Sequence, residues 1–455
     1  MIFSSSVFLF LFLPVTLVVY YNPFIKTRDF KNIMLLIASL LFYAWGEPVF
    51  VFVMLGLILW NWLLSVLMVR TEKHRLQNFL LLIAIVTDVG LLFLYKYLTF
   101  VMNNLHCLHI GERFTPDIAL PIGISFFTFQ IISYIVDVYT GEVEVQHNLI
   151  NLALYISLFP QLIAGPIVRY GQIADELDNR VETWDDFASG MRRFSVGLAK
   201  KVLLADYLGT IADYAWGMDD RTVAMAWLGS IAYTLQIFFD FSGYSEMAIG
   251  LGRMFGFHFE ENFNYPYVAT SIKDFWRRWH MSLSIWFRDY VYIPLGGNRK
   301  GEGTTIRNLF IVWLLTGIWH GANWTFIVWG MAYFLLLMLE RKWNPAGKWS
   351  WFGHVYTLFW VNLLWAVFRA DNLQAAGAFI GQMFGVGADG VWNPAFSDLM
   401  GMVWPVLVIA TICCFPLRRF VKRAWIKNVC CLMLFILAVA VSSKTAYSPF
   451  LYFNF

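Results

Sequence analysis

Apolar residues run in long blocks separated by short polar turns. Residues 7–21, 48–69, 79–94, 223–238, 309–339, 404–415 and 429–440 form such blocks, and within them only Asp88 carries a charge. A helix needs about 20 mostly apolar residues to cross the hydrocarbon core, and with flanks included some ten to twelve stretches, roughly, meet that length. The pattern predicts an all-α polytopic integral membrane protein with about 10–12 transmembrane helices, joined by re-entrant and interfacial helices. A transmembrane β-barrel would need alternating segments of about ten residues, and the unbroken apolar runs exclude it. No linker or repeat period divides the chain, so residues 1–455 are expected to form a single transmembrane domain.

Three regions depart from the simple pattern. The block 309–339 is too long for one span, because its 31 residues would reach about 46 Å at 1.5 Å per residue against a core of about 30 Å. Gly317, Gly321 and Asn323 mark the place for a break. Residues 169–193 are polar, and Thr183 followed by Asp186 predicts a helix start near Trp184, running toward Asp206. Its Arg192, Arg193, Lys200 and Lys201 suit a helix lying at the membrane interface. Residues 260–307 interleave charge and aromatics, with Lys273, Arg277, Arg278, His280, Arg288 and Asp289 close together. Each charge costs roughly 2.5–3.5 kcal/mol at the bilayer centre, so this stretch must line a polar cavity or lie among headgroups. "PLGGNRKG" (294–301) then reads as a turn.

Composition agrees with the pattern. The 455 residues are 59% hydrophobic and 14% charged, against roughly 25% charged in soluble domains. The first apolar block lacks a basic leader and a small-residue cleavage site, which makes it a retained span rather than a secretion signal. Basic turns at Lys26, Arg28 and Lys31, at Arg70, Lys73 and Arg75, and at Arg418, Arg419, Lys422, Arg423 and Lys427 are assigned to the cytoplasm by the positive-inside rule, leaving both ends of the sequence outside. A net charge of +3 and the lack of an aromatic-interleaved basic block argue against a nucleic-acid partner. The five cysteines (Cys107 and the adjacent pairs Cys413–Cys414 and Cys430–Cys431) read as free thiols.

Chemistry concentrates at a few positions. His320 lies in a block without charged residues, and an ionisable group in a membrane span marks function by default. A general base is the role this suggests, with Trp319 and Asn323 beside it and Asn323 as an amide donor toward developing charge. His280, in "RRWHMSLS", is the second candidate, and the adjacent Arg277 and Arg278 suit a phosphate, an acidic sugar or lipid headgroups. Asp240 and Tyr244, in an otherwise apolar run, either line a reaction chamber or, for the carboxylate, pair with Arg253 or Arg277. The His106–His109 stretch "HCLH" is too sparse for a metal site, and no metal is expected. There is no G-x-S-x-G elbow, P-loop or dinucleotide fingerprint. Proton abstraction from a hydroxyl inside a membrane cavity is the chemistry left for His320.

The stretches "LPIGISFFTFQIISYIVDVY" (120–139), "FPQLIAGPIVRY" (159–170), "YTLQIFFDFSGYSEMAIGLG" (233–252), "FWRRWHMSLSIWFRDYVYIPLGGNRKG" (275–301) and "GIWHGANWTFIVWG" (317–330), with the opening "MIFSSSVFLFLFLP" and the tail "SPFLYFNF", closely resemble the membrane-bound O-acyltransferase family. Within it they resemble the alginate and exopolysaccharide O-acetyltransferases. The resemblance implies a funnel-like multi-helix fold with His320 at its narrow centre and His280 as the second family histidine. It further implies acetyl-CoA as a cytoplasmic donor, with no bound cofactor, and an exported serine-esterase-like partner working with a polysaccharide synthase and export complex at a bacterial inner membrane. Two rivals remain open. One is D-alanyl transfer from a carrier protein to teichoic acid. The other is a secondary transporter using His320 as a proton relay, for which the expected inverted repeats are not seen.

Overall fold

Helices carry the backbone throughout, since an unpaired amide in lipid costs several kcal/mol and a helix satisfies its own. The computed structural model describes residues 1–24, 26–107, 118–345, 347, 350–416 and 423–444. His109, Arg418, Arg419, Lys422 and the terminal 448–455 lie outside the described residues. Among the described residues there is no strand. Among the described residues seven helices are long and apolar enough to cross a membrane: Phe50–Arg70, His74–Cys107, Val223–Met254, Trp324–Lys342, Ser350–Arg369, Pro394–Cys413 and Ala424–Ser442. Phe8–Tyr20 and Ile124–Thr140 are apolar but shorter. The protein is thus a polytopic all-α membrane protein, and among the described residues seven helices meet the length for a span where about 10–12 were expected. The reason is visible in Leu149–Ser157 and Phe159–Leu162, short helices whose residues are nearly all buried. Hydropathy does not distinguish a side chain covered by lipid from one covered by protein.

The chain forms two compact units, Met1–Phe194 with Tyr244–Glu260, and Ser195–Gly243 with Glu261–Phe455. In the first, Phe3, Phe8, Phe42 and Phe159 pack ring on ring. One buried amide there is tied to two neighbours: Asn32 Nδ2 donates to Asn151 Oδ1 (2.9 Å) and to the Leu177 carbonyl (2.8 Å). The helix Trp184–Ala199 starts where the sequence placed it, its Asp186 N–H donating to Thr183 Oγ1 at 3.0 Å. It continues through a π-helical turn, Lys200–Ala205, into Asp206–Trp216. Two of its cations are not interfacial. Arg193 meets Glu246 at 2.5 Å in the first unit, and Lys201 is buried against Asp206 and Asp240 in the second.

The second unit resolves the over-long block. Residues 309–339 form a hairpin of two helices, Glu302–His320 and Trp324–Lys342. The helices are antiparallel: Glu302 meets Arg341 at one end (3.4 Å), and Trp313 faces Tyr333 farther along (ring centroids 5.5 Å). Two glycines allow the contact. A Cβ on Gly330 would stand 2.5 Å from the Trp313 carbonyl oxygen, and one on Gly317 2.6 Å from that of Phe326. Gly317 therefore admits a neighbouring backbone. At the turn Asn323 Oδ1 accepts the Thr325 N–H (3.1 Å) and caps the returning helix.

Candidate active site

His320 is the last residue of the outgoing helix, at the hairpin tip, and is 4% exposed. Four aromatic rings surround its imidazole: Trp319 (5.0 Å between centroids), Trp329 (5.0 Å), Phe368 (5.1 Å) and Phe326 (6.5 Å). The hairpin supplies the first two and Phe326; the helix Ser350–Arg369 supplies Phe368.

His280 also packs against Trp319. Its ring centroid lies 5.9 Å from that indole and 4.7 Å, edge to face, from Phe241. The residue is 1% exposed and has φ 43° and ψ 55°, a left-handed conformation that costs an L-residue about 1–2 kcal/mol. Strain of this kind persists only where surroundings over-determine it, commonly at functional sites. Burial lowers the basicity of His280 to about 3, so its imidazole is neutral. Sequence reading singles out both histidines but not Asn262, which accepts from His280 Nδ1 at 3.2 Å. Nothing in "EENFNYPY" distinguishes it, because the contact joins residues 18 positions apart.

Two cavities approach this pair of histidines. One, of about 600 Å³, is lined by Lys273, Arg277, Arg288 and Arg341 together with Glu340. It reaches Trp276, Trp313 and Thr316, the last one helical turn before His320. The other, of about 840 Å³, lies at the hairpin's tip and is lined by Asn323, Phe326 and Phe368 with Tyr233, Trp216, Arg369 and Asp213. Arg369 meets Asp213 at 2.5 Å, and its guanidinium lies over the Trp216 and Tyr233 rings. Both volumes are in the range of small-molecule sites. Aromatic rings link His320 to both: Trp329 packs against its imidazole and against Trp276, and Phe326 and Phe368, which line the tip cavity, pack against it as well.

Several expected positions are corrected by this arrangement. Of the four residues expected to line a chamber at His320, Asn323 lines the tip cavity, whereas Trp319, Asp240 and Tyr244 line neither of these two cavities. Asp240 pairs at 2.8 Å with Lys201, a partner other than the expected Arg253 or Arg277, and that lysine is buried in the π-helical turn. Tyr244 belongs to the first unit, where its ring stacks on Phe3 at 4.5 Å. The Asn323 amide caps its helix and donates to the Asp371 carbonyl at 2.6 Å, which commits one of its N–H groups. Arg277 lines the basic cavity, whereas Arg278 pairs with Asp274 at 3.0 Å and donates to the Asn264 carbonyl. Among the described residues no cluster could hold a metal ion.

A family model described as MBOAT, the membrane-bound O-acyltransferase family, matches residues 140–368, a stretch that includes both histidines. The chain is 41% identical to the "Probable alginate O-acetylase AlgI" of Pseudomonas putida, over the whole of both chains. It is 44% identical to the protein of the same name in Pseudomonas aeruginosa, covering 93% of this chain and 83% of that one. A teichoic acid D-alanyltransferase of Bacillus subtilis is 30% identical over 50% of this chain and 61% of its own.

Proposed function

The chain belongs to the membrane-bound O-acyltransferase family, and from that premise we propose that it takes an acetyl group from acetyl-CoA on the cytoplasmic side of a bacterial inner membrane and delivers it outward for O-acetylation of alginate or a similar extracellular polysaccharide. It is an O-acyltransferase and a multi-pass membrane protein. The observation that carries the finer reading is the position of His320, at a hairpin tip between a basic cavity and a cavity of mixed charge. Lys273, Arg277, Arg288 and Arg341 suit the phosphates of a nucleotide thioester. Arg299, Lys300, Arg307 and Lys342 lie in the same turns and helix ends, which supports placing that side in the cytoplasm.

In this reading the acetyl thioester enters past Trp276 and the acceptor hydroxyl enters past Phe368, with Trp329 and Phe368 turning aside. The hydroxyl oxygen attacks the thioester carbonyl while His320 takes its proton, a contribution of typically about 10²–10⁴-fold. The C–S bond then breaks and the proton passes to the departing thiolate. First-turn N–H groups of the helix Trp324–Lys342 are the donors for the developing oxyanion. His280 orients the acceptor. An exported serine-esterase-like partner, acting with a synthase and export complex, finishes transfer to the polymer.

The D-alanyl alternative would replace acetyl-CoA by a carrier-protein thioester, and two relatives bearing that name each match 50% of this chain. Titration of the purified protein with acetyl-CoA separates the two readings. Binding and slow thioester cleavage are expected, both weakened by Arg277→Ala combined with Arg288→Ala. Absence of binding at millimolar acetyl-CoA, beside clear binding of a carrier-protein thioester, would favour D-alanyl transfer.

A further inference from the structure

Asn262 is fully buried and lines neither cavity, yet it makes four contacts with the turn that carries His280. Its main-chain oxygen accepts the Met281 N–H at 2.9 Å. One terminal atom of its side-chain amide lies 3.2 Å from the Ser282 N–H nitrogen, 2.9 Å from Ser282 Oγ and 3.2 Å from His280 Nδ1. A backbone N–H can only donate, so that terminal atom is the carbonyl oxygen Oδ1. Ser282 Oγ lies 3.5 Å from His280 Nδ1 but 2.9 Å from Oδ1, so its hydrogen goes to the amide oxygen; the imidazole nitrogen, 3.2 Å from the same acceptor, then carries its own hydrogen, on Nδ1. In a neutral ring the lone pair is then on Nε2. Burial keeps the ring neutral, and the same four contacts brace the left-handed backbone at His280.

We propose that Asn262 is a positioning residue for acyl transfer: it fixes His280 as the Nδ1–H tautomer and aims Nε2 as a hydrogen-bond acceptor for the incoming hydroxyl. The proposal rests on the acyltransferase reading above for the identity of that hydroxyl, and on the hydrogen-bond geometry for the tautomer. A tautomer held by a partner is a kinetic device as well as a structural one, because the wrong form presents a donor where the hydroxyl needs an acceptor.

The test uses the full chain in detergent or nanodiscs with ¹⁵N-labelled histidine, the His280 signals being those lost in His280→Gln. Wild type should show Nδ1 protonated and Nε2 bare at pH 7. Asn262→Leu removes the acceptor; it should lose that signature and lower kcat by roughly tenfold to a hundredfold, the range for partners of working histidines, with KM nearly unchanged. Asn262→Asp, which retains an oxygen at the same place, should recover most of the rate. Kinetics are read with whichever thioester the wild type turns over, so rejection of acetyl-CoA would count against the donor assignment and not against the tautomer. A wild-type His280 protonated on Nε2 overturns the proposal even if Asn262→Leu fails to fold. So does a folded Asn262→Leu with wild-type kcat.

Discussion

At the scale of single residues, the site is held by caps and partners as much as by the histidines. Asn323 caps the start of the returning helix, accepting from the Thr325 N–H, and ties the turn to Asp371. Asn323→Ala should therefore cost about 1 kcal/mol for the lost cap, and slightly more because the Asp371 carbonyl loses its donor. Thermal unfolding in detergent checks this, and an unchanged midpoint would contradict the capping role. His320 and His280 were legible in the sequence because an ionisable group among apolar residues is conspicuous. The partner of Asp240 was not, since Lys201 is buried in the π-helical turn Lys200–Ala205, and one extra residue in a turn leaves no mark in the pattern.

At the scale of elements, the hairpin is what brings the chemistry together. Its length predicted a break, and glycines marked the region, but whether the chain would kink or reverse was not written in the apolar pattern. The reversal is settled by packing, with Gly317 and Gly330 letting two helices approach. Gly330→Leu should destabilise the protein by about 1–3 kcal/mol or more, as overpacking does in well-packed interiors, because its Cβ alone would press on the Trp313 carbonyl at 2.5 Å. Gly377→Leu is the control: a Cβ there meets nothing within 4 Å. Equal melting temperatures for the two variants would refute close packing of the hairpin. The basic cavity shows the same limit of legibility. Residues 260–307 could be recognised as unfit for lipid, but only the fold separates Arg277, which lines the cavity, from Arg278, which pairs with Asp274.

At the scale of the whole molecule, charge placed away from the spans also contributes to stability. Glu182 sits 2.6 Å from Arg28, 3.3 Å from Lys31 and 3.9 Å from Arg180. Burial alone would raise its pKa, but hydrogen bonds from Arg28 and Tyr20 and the charges of Arg28 and Lys31 outweigh it and hold the carboxyl at about 2 against an ordinary 4.5. A carboxyl depressed in the folded state stabilises fully above its unfolded pKa and loses that contribution as pH falls toward the folded one. The melting-temperature gap between wild type and Glu182→Gln should therefore be largest at pH 7 and shrink between about pH 4.5 and 2; a gap that widens in acid would contradict the assignment. The family and the helical membrane fold were readable from motifs, which also single out the two histidines, whereas the aromatic rings around His320 are brought together only in the assembled molecule. The central claim is that the proton of the attacking hydroxyl goes to His320. Its most direct test is acetyl transfer from donor to acceptor by His320→Ala, at matched membrane levels and with the variant's fold verified by its melting curve. The account predicts a folded protein whose transfer falls by about 10²–10⁴-fold, and transfer near the wild-type rate would contradict it.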